Sequence, residues 1–467
     1  MNTNNPISVR MSKKMQLEMK KTIQNKKSLL MIKDSNDNKL YIHNLINIAF
    51  MYHACDHLET KKRKKEIKKI QKKLIKDSKD NRKSKDKIRI SVRLSAEEIL
   101  ALKNMYGEYA NTISDFIKLA ILDVIYNPID ELKEYYSTRY LLGMKNKKMC
   151  QWINPVIMQF ANNGMHRKYV ETFAGTANMA LHQAYKGFVS MVLSDNNTLG
   201  INLLNVIKKY PKELILRTRL FHVNKRTFKY LKSIIKNFNP AQLHGKDSCI
   251  YYAAVYYYLC NLSCYGQSEY LKSDATDNTL YNKLKQIPQI SMQFRLNKME
   301  FKHCDALKRL DNIIHKKESD NIIYLDPPYI GTEEIYKKQN EDKKVFFGHK
   351  KLCNRMDKLS KLGNIVLLSY RVTASETVRQ EAIEKNQENP DKLMRRTIDK
   401  LYLGKNYHIA FKLIDVEKRQ IEILISTKEF IDDDGNHSIL YNQPLEYMDI
   451  ESIVGLVNIE EDMANIA

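Results

Sequence analysis

Eight consecutive residues, Ile322-Ile323-Tyr324-Leu325-Asp326-Pro327-Pro328-Tyr329, join an apolar run to a carboxylate, two prolines and a phenol ring. Ile322 to Leu325 read as a buried parallel strand, ended where Pro327 and Pro328 cannot donate to a ladder. In an open α/β sheet, ligands bind just outside the carboxyl ends of strands, which is where Asp326 would stand. A carboxylate beside the Pro327 backbone carbonyl offers two acceptors to the two hydrogens of an amino group. Such a pair draws the nitrogen towards tetrahedral geometry and aims its lone pair at an electrophile. The gain comes from alignment and from electrostatics complementary to the developing positive charge. Tyr329 offers an aromatic ring to a planar amine. A rigid turn closing a core strand would use the same residues, so the rest of the chain has to supply the context.

A second stretch, Tyr169-Val170-Glu171-Thr172-Phe173-Ala174-Gly175-Thr176-Ala177-Asn178, reads as strand, tight small-residue turn and helix start. Small residues there let a ligand approach the backbone near a helix N-terminus. The next strand, Ser190 to Leu193, leads to Asp195, twenty residues past Gly175. An acid at that spacing is placed to bind ribose hydroxyls. Gly175, Asp195 and Asp326 thus follow in the order of a cofactor-binding α/β sheet.

The chain of 467 residues is long enough for two or three domains. Lys+Arg number 78 against 54 Asp+Glu, a formal charge of +24 that favours a polyanionic partner such as nucleic acid over merely solvated basic faces. The seven cysteines (Cys55, Cys150, Cys249, Cys260, Cys264, Cys304, Cys353) are scattered and odd in number, with no CxxC pair. That pattern argues against structural zinc or a disulfide framework, and fits a cytoplasmic location. No apolar run has membrane-spanning length, and the first thirty residues are too charged for a signal peptide. A soluble protein with no metal centre and no membrane partner is expected.

Residues 1–60 form an N-terminal region in which Leu40 to His57 could be one helix. Residues 61–86 are a basic helix and linker: from Lys61 to Lys87, fifteen Lys/Arg meet four Asp/Glu. Ile67, Ile70, Leu74 and Ile75 fall near helical spacing, while Asp77 to Asp86 reads as a linker. A solvated tether and a phosphate-binding arm both fit this composition. In residues 87–128, Ile88, Ile90, Val92 and Leu94 alternate with Lys87, Arg89, Ser91 and Arg93. Ser95 and Glu98 make a capping box for a helix through about Met105. Gly107 breaks it, and a second helix runs from about Thr112 through Ile125. Strand, helix, helix resembles the ribbon-helix-helix family, whose chains pair their strands into a ribbon that enters the major groove. The resemblance implies that Lys87, Arg89 and Arg93 face DNA and that the apolar face is buried in a homodimer through residues 87–128. A small accessory subdomain would show the same pattern.

From about Tyr140 to Lys428 the chain resembles the Dam-type (D12 class) DNA adenine N6-methyltransferases. The resemblance rests on elements in that family's order: Leu142-Gly143-Met144-Lys145, Glu171-Thr172-Phe173-Ala174-Gly175, Ser194-Asp195-Asn196-Asn197, Asn261 to Gly266, Cys304-Asp305 and Asp326-Pro327-Pro328-Tyr329. A strand Ile365 to Ser369 and a closing hairpin, His408 to Ile414 with Ile421 to Thr427, complete it. It implies an α/β fold: a Rossmann-like S-adenosylmethionine-dependent methyltransferase sheet with a helical insertion, behind a mainly helical basic N-terminal region. Residues 138–204 and 296–430 would be the catalytic domain, 205–295 a target-recognition insertion and 431–467 a C-terminal tail.

The resemblance also implies S-adenosyl-L-methionine as methyl donor and double-stranded DNA as substrate. Tyr140 and Lys145 would sit near the cofactor's amino-acid end, Phe173 and Gly175 would form its turn, Asp195 would hold the ribose and Asp305 would approach its adenine. Asp326, Pro327, Pro328 and Tyr329 would carry catalysis on a base taken out of the stack, with Asp326 also beside the cofactor. Asn261 and Tyr265 would contact DNA, although Tyr251 to Leu262 also reads as a buried helix. Residues 331–347 would form a lid. The chain departs from the family pattern at Met144, Ala177 and Ala306. Rival readings are cytosine-N4 methylation, which Asp rather than Ser at position 326 disfavours, and a DNA-binding regulator with an inactive methyltransferase domain.

Overall fold

Val9, Met11 and Val92 are fully buried while Arg10 is exposed, the two-residue burial period of strands with one covered face. These residues belong to β1 (Ile7–Ser12) and β2 (Lys87–Val92), which pair antiparallel in the register Ile7↔Val92 to Ser12↔Lys87. The computed structural model describes residues 7–12, 61–83, 87–92, 94, 96–126, 147–161, 168–182, 190–263, 270–330, 348–373, 376–415, 420–432 and 437–448, with positions 15, 17–19, 21, 45, 46, 49 and 435. It divides into two units, each drawn from two stretches of chain: Met1–Leu142 with Asn202–Arg295, and Gly143–Ile201 with Leu296–Ala467.

In the first unit, α1 (Lys61–Lys83), α2 (Ala96–Tyr106) and α3 (Ile113–Tyr126) surround the ribbon. Both α1 and α3 pack against β1, and α3 also packs against α1 and α2. Ile67, Ile70 and Leu74 of α1 are buried, as are Phe116, Ile117, Ala120 and Ile121 of α3. Two expectations are corrected here. The strand at Lys87–Val92 does not take its partner from a second copy through residues 87–128, because β1 of the same chain fills that place. Tethering gives β1 a higher effective concentration than a separate chain would have, and its apolar alternation matches. The stretch from Asp77 reads as a linker, yet α1 continues to Lys83; no Gly or Pro interrupts it, and Lys and Arg are good helix formers. The helix expected at Leu40 to His57 lies largely outside the described residues.

From Lys147 the elements run α4 (Lys147–Ala161), β3 (Lys168–Glu171), α5 (Asn178–His182), β4 (Ser190–Asp195) and α6 (Thr198–Lys209). An all-helical excursion follows: α7 (Pro211–Arg219), α8 (Lys225–Lys236), α9 (Gly245–Leu262), α10 (Asp277–Leu284) and α11 (Ile287–Leu296). The excursion belongs to the first unit, where α2 packs on α7 and Lys212 Nζ lies 2.6 Å from Glu98 Oε1. The chain then continues through β5 (Met299–His303), α12 (Ala306–His315), β6 (Asn321–Leu325), α13 (His349–Lys361), β7 (Ile365–Arg371), α14 (Glu376–Glu384), α15 (Pro390–Tyr402), β8 (His408–Asp415), β9 (Gln420–Ser426) and β10 (Ile439–Leu440).

Eight strands form the sheet of the second unit, in the order β10-β8-β9-β7-β6-β3-β4-β5. The five from β7 to β5 are parallel, and β9, β8 and β10 extend the edge antiparallel. Ile322, Ile323, Tyr324 and Leu325 of β6 are fully buried, as a strand in mid-sheet requires. Ile323, Leu325, Val366 and Leu368 form one core with Leu310 and Ile313 of α12 and Leu352 and Met356 of α13. The closing hairpin β8–β9 is present. The tail adds β10 to the sheet, and Asp399 of α15 accepts from the Leu445 amide at 2.8 Å. Among the described residues, no helix is long and apolar enough to cross a membrane, and no group of three or more His, Cys, Asp or Glu could hold a metal ion.

The first unit carries a buried polar contact that can be tested. Tyr106 Oη donates to Asp123 Oδ2 at 2.6 Å, and both residues are fully buried. Tyr106→Phe removes the donor and leaves the carboxylate in place. It should cost about 1–3 kcal/mol in urea unfolding monitored at the first unit.

Candidate active site

Strand β3 pairs in parallel with β4 on one side and β6 on the other, with Glu171 level with Leu193 and Tyr324. The chain runs outward from β3 through β4 to β5, then returns to lay β6 against the opposite edge of β3. The turns after β3 and β6 therefore leave side by side at a topological switch point, where ligands bind in open α/β sheets. Asp195 and Asp326 each end up within electrostatic reach of Glu171.

Asp195 stitches the first turn together. Its Oδ2 accepts from the Gly175 amide at 2.8 Å and its Oδ1 from the Asn197 amide at 2.8 Å. The Ala174 amide donates to the Ser194 carbonyl at 3.0 Å. Gly175 sits at φ +48°, where an L side chain is strained, and a Cβ placed there would meet nothing nearer than the Phe173 carbonyl at 3.9 Å. The glycine is thus required for backbone conformation, and its turn stays open to an approaching group. Ala177 stands at φ +59°. Its departure from the glycine of the family pattern leaves room in the turn but costs strain, about 1–2 kcal/mol for an L residue in this region.

Thr172 Oγ1 and Ser194 Oγ are buried without a hydrogen-bond partner at the ends of β3 and β4. Polar atoms left so beside an open glycine turn fit a polar ligand, and the turn suits the nucleoside end of S-adenosylmethionine.

Glu171 is almost wholly buried and accepts from Tyr169 Oη at 3.3 Å. Burial foremost, then the nearby charge of Asp326, pushes its carboxyl well above the usual range. Asp326 Oδ1 accepts from Ser369 Oγ at 3.1 Å, and that hydroxyl lies 3.0 Å from Tyr324 Oη. Ser369 comes from β7, so the adjacent strands β6 and β7 together fix the turn. Pro327 is buried and Pro328 half-buried.

Tyr329 donates to Glu422 Oε2 at 3.0 Å, packs edge-on against Tyr370 and lies under the Arg371 guanidinium, 5.5 Å from the ring centre. Arg371 pairs with Glu422 at 3.4 Å. At 9% exposure, the ring is a clamped wall of the turn here and not the open platform expected for a base.

The other expected site residues fall as follows. Phe173 packs against the core beneath the turn. Asp305 caps α12, accepting from the Lys308 amide at 3.0 Å, with Ala306 as the first helical residue. Tyr140, Met144, Lys145, Arg93, Tyr265 and residues 331–347 lie outside the described residues. Lys87 and Arg89 are positions on β2. Asn261 is corrected as a direct DNA contact: it is 4% exposed at the end of α9 and its Nδ2 donates to the Tyr257 carbonyl at 2.9 Å. That end of α9 is buried on every side from Tyr256 to Leu262.

Sequence reasoning missed Ser369, Arg371 and Glu422 as parts of the site, because their approach depends on strand register. The basic patch at Lys225, Arg226 and Lys229 falls on one exposed face of α8, to which Tyr230 adds an exposed ring.

The fold and the site define an α/β enzyme that takes its ligand at the carboxyl edge of a parallel sheet. Residues 142–419 match the family described as D12 class N6 adenine-specific DNA methyltransferase, and the chain belongs to that family. No curated protein matches it. Among solved structures the chain is similar to the crystal structure of the SAM dependent methyltransferase from Agrobacterium tumefaciens, at 10% identity over 64% of this chain and 72% of that one, with a TM-score of 0.28.

Two substitutions test the site's physics. An unfolded glutamate ionises above about pH 4.3, whereas the folded Glu171 carboxyl titrates higher, so its contribution to stability should fall as pH rises from about 4.3 towards its folded pKa, by up to about 1.4 kcal/mol per unit. Glu171→Gln removes this dependence: in urea melts its stability relative to wild type should rise as pH is raised above about 4.3. A pH-independent difference would contradict a raised Glu171 pKa. Ala177→Gly should raise stability by roughly 0.5–1 kcal/mol, the strain relieved less the entropy of a freer unfolded chain.

Proposed function

We propose that the chain transfers a methyl group to N6 of adenine in double-stranded DNA, with the target base taken out of the stack and held at Asp326-Pro327-Pro328-Tyr329. The observation that carries this reading is Asp326 beside the β3 turn across the switch point, held by Ser369. S-adenosylmethionine supplies an electrophilic methyl group on a sulfonium. Gly175, Asp195 and Phe173 would hold it, with Thr172 and Ser194 offering their hydroxyls.

The adenine amine is a poor nucleophile because its lone pair is delocalised into the ring. The Asp326 carboxylate and the Pro327 carbonyl would accept its two hydrogens, favour the tetrahedral nitrogen and stabilise its positive charge as the nitrogen–methyl bond forms and the sulfur–methyl bond breaks to leave a neutral thioether. The excess proton on nitrogen would then leave through the Asp326 carboxylate to solvent. Burial pushes the Glu171 carboxyl well above the usual range, which lessens competing negative charge beneath the turn. Ser369 orients the Asp326 carboxylate. The amine is out of reach inside a duplex, so unstacking precedes transfer. Tyr329, clamped by Glu422 and Arg371, gives the turn a stiff aromatic wall against which the base can lie. The exposed basic and aromatic face of α8 supplies phosphate contacts from the insertion.

Incubation with tritiated cofactor and duplex DNA, followed by nucleoside analysis, tests this. The label should appear as N6-methyladenine. Asp326→Ala should lower turnover by about 10³-fold, and Ser369→Ala by roughly 10- to 100-fold through misalignment. N4-methylcytosine as product, or transfer that survives Asp326→Ala, would sink the reading.

A further inference from the structure

Arg309, one turn into α12, is a buried cation without a partner among the described residues. It is 8% exposed, its Nε is buried with no hydrogen-bond acceptor, and no ion pair holds it. Ala306, Leu310 and Ile313 share its buried face of the helix and carry no charge. A guanidinium left in that state costs free energy, so a ligand that covers it recovers the loss. Helical side chains lean towards the helix N-terminus, which sends the Arg309 head back over Asp305 and Ala306, where β5 ends beside β4. The two strand ends are joined there, since the Cys304 amide donates to the Asp195 carbonyl at 3.1 Å. Leu310 and Ile313 of α12 share a core with Val170, which is level with Val192 of β4. Ser194, two residues beyond Val192, therefore faces the same way, and its hydroxyl is fully buried without a partner. The helix-covered face of this sheet edge thus holds two buried donors that the protein leaves unsatisfied.

We propose that Arg309 lays its guanidinium plane on the adenine ring of S-adenosylmethionine and so holds the cofactor's own base. The proposal rests on the methyl-transfer reading above, in which the reactive methyl group stands at Asp326 after β6. Along the sheet edge the order is β6, β3, β4, β5. In that reading the ribose lies at Asp195 on β4. The base is on the far side of the ribose from the sulfonium, so it reaches the end of β5 and the start of α12. Ala306 puts only a methyl group at that point, and the side chain one turn later supplies the flat surface. Adenine is uncharged, which rules out an ion pair. A guanidinium is planar, weakly hydrated and stacks on aromatic faces, most strongly where water is excluded. Burial of Arg309 before the cofactor arrives means that little desolvation remains to be done on binding.

Titration calorimetry on the full-length chain tests this without turnover, using S-adenosylhomocysteine and methylthioadenosine. The second ligand keeps the base and ribose but lacks the amino-acid carboxylate. Arg309→Met fills most of the buried volume without the guanidinium. It should weaken both ligands by the same factor, about five- to thirty-fold. Its urea midpoint in the absence of ligand should equal or exceed that of wild type, because an unpartnered buried cation has gone. Weakening of S-adenosylhomocysteine alone would assign Arg309 to the carboxylate and overturn the proposal. Unchanged affinity for both ligands, or a lowered urea midpoint, would overturn it too and leave the methyl-transfer reading standing. Failure of the wild-type chain to bind either ligand would remove that reading along with the proposal.

Discussion

Parallel pairing of β6 with β3 is the constraint on which the active site depends. These strands are far apart in the chain, and the intervening β4 and β5 have already extended the sheet on the other side. Only the return crossover puts the Asp326 turn next to the Gly175 turn. Once Tyr324 is level with Glu171, the positions of Asp326, Asp195 and the small-residue turn follow from strand geometry. Ser369 is then supplied by the next parallel strand, and Glu422 by the antiparallel strand beyond it.

Crowding three acids at one sheet edge carries an electrostatic cost, and the fold distributes it unevenly. Asp195 spends its two oxygens on backbone amides that shape the cofactor turn. Asp326 is oriented by a hydroxyl. Glu171, the most buried, has its carboxyl pushed well above the usual range, foremost by burial.

Much of this was legible in the sequence where the signal was local. The strand Ile322 to Leu325 announces itself by an unbroken apolar run ended by prolines, and the Gly175 turn by small residues between a strand and a helix. The spacing to Asp195 and the alternation at Ile88 to Leu94 are likewise local. What was not legible depended on partners distant in the chain. Nothing beside Ser369 says that it meets Asp326, and nothing at Tyr329 says that Glu422 and Arg371 will enclose its ring. The strand partner of β2 was hidden for the same reason. The true partner of β2 lies some eighty residues earlier in a six-residue strand, although the repeat Ile-Ser-Val-Arg was there to be seen. Asn261 sits in a family-like stretch, yet its end of the helix is buried all round from Ala253 to Leu262.

The two units are woven together along the chain: each is assembled from two stretches, and the stretches alternate. β4 and β5 are neighbours in the sheet, yet the peptide leaves the second unit at α6 and returns only after α11. In polymer terms, the β4–β5 pairing closes a very long loop. A loop that is already folded, with its two ends held close, costs much less to close than a slack one of equal length. Folding of the helical excursion within the first unit, with α2 packed on α7, therefore shortens the effective loop that the β4–β5 pairing has to close.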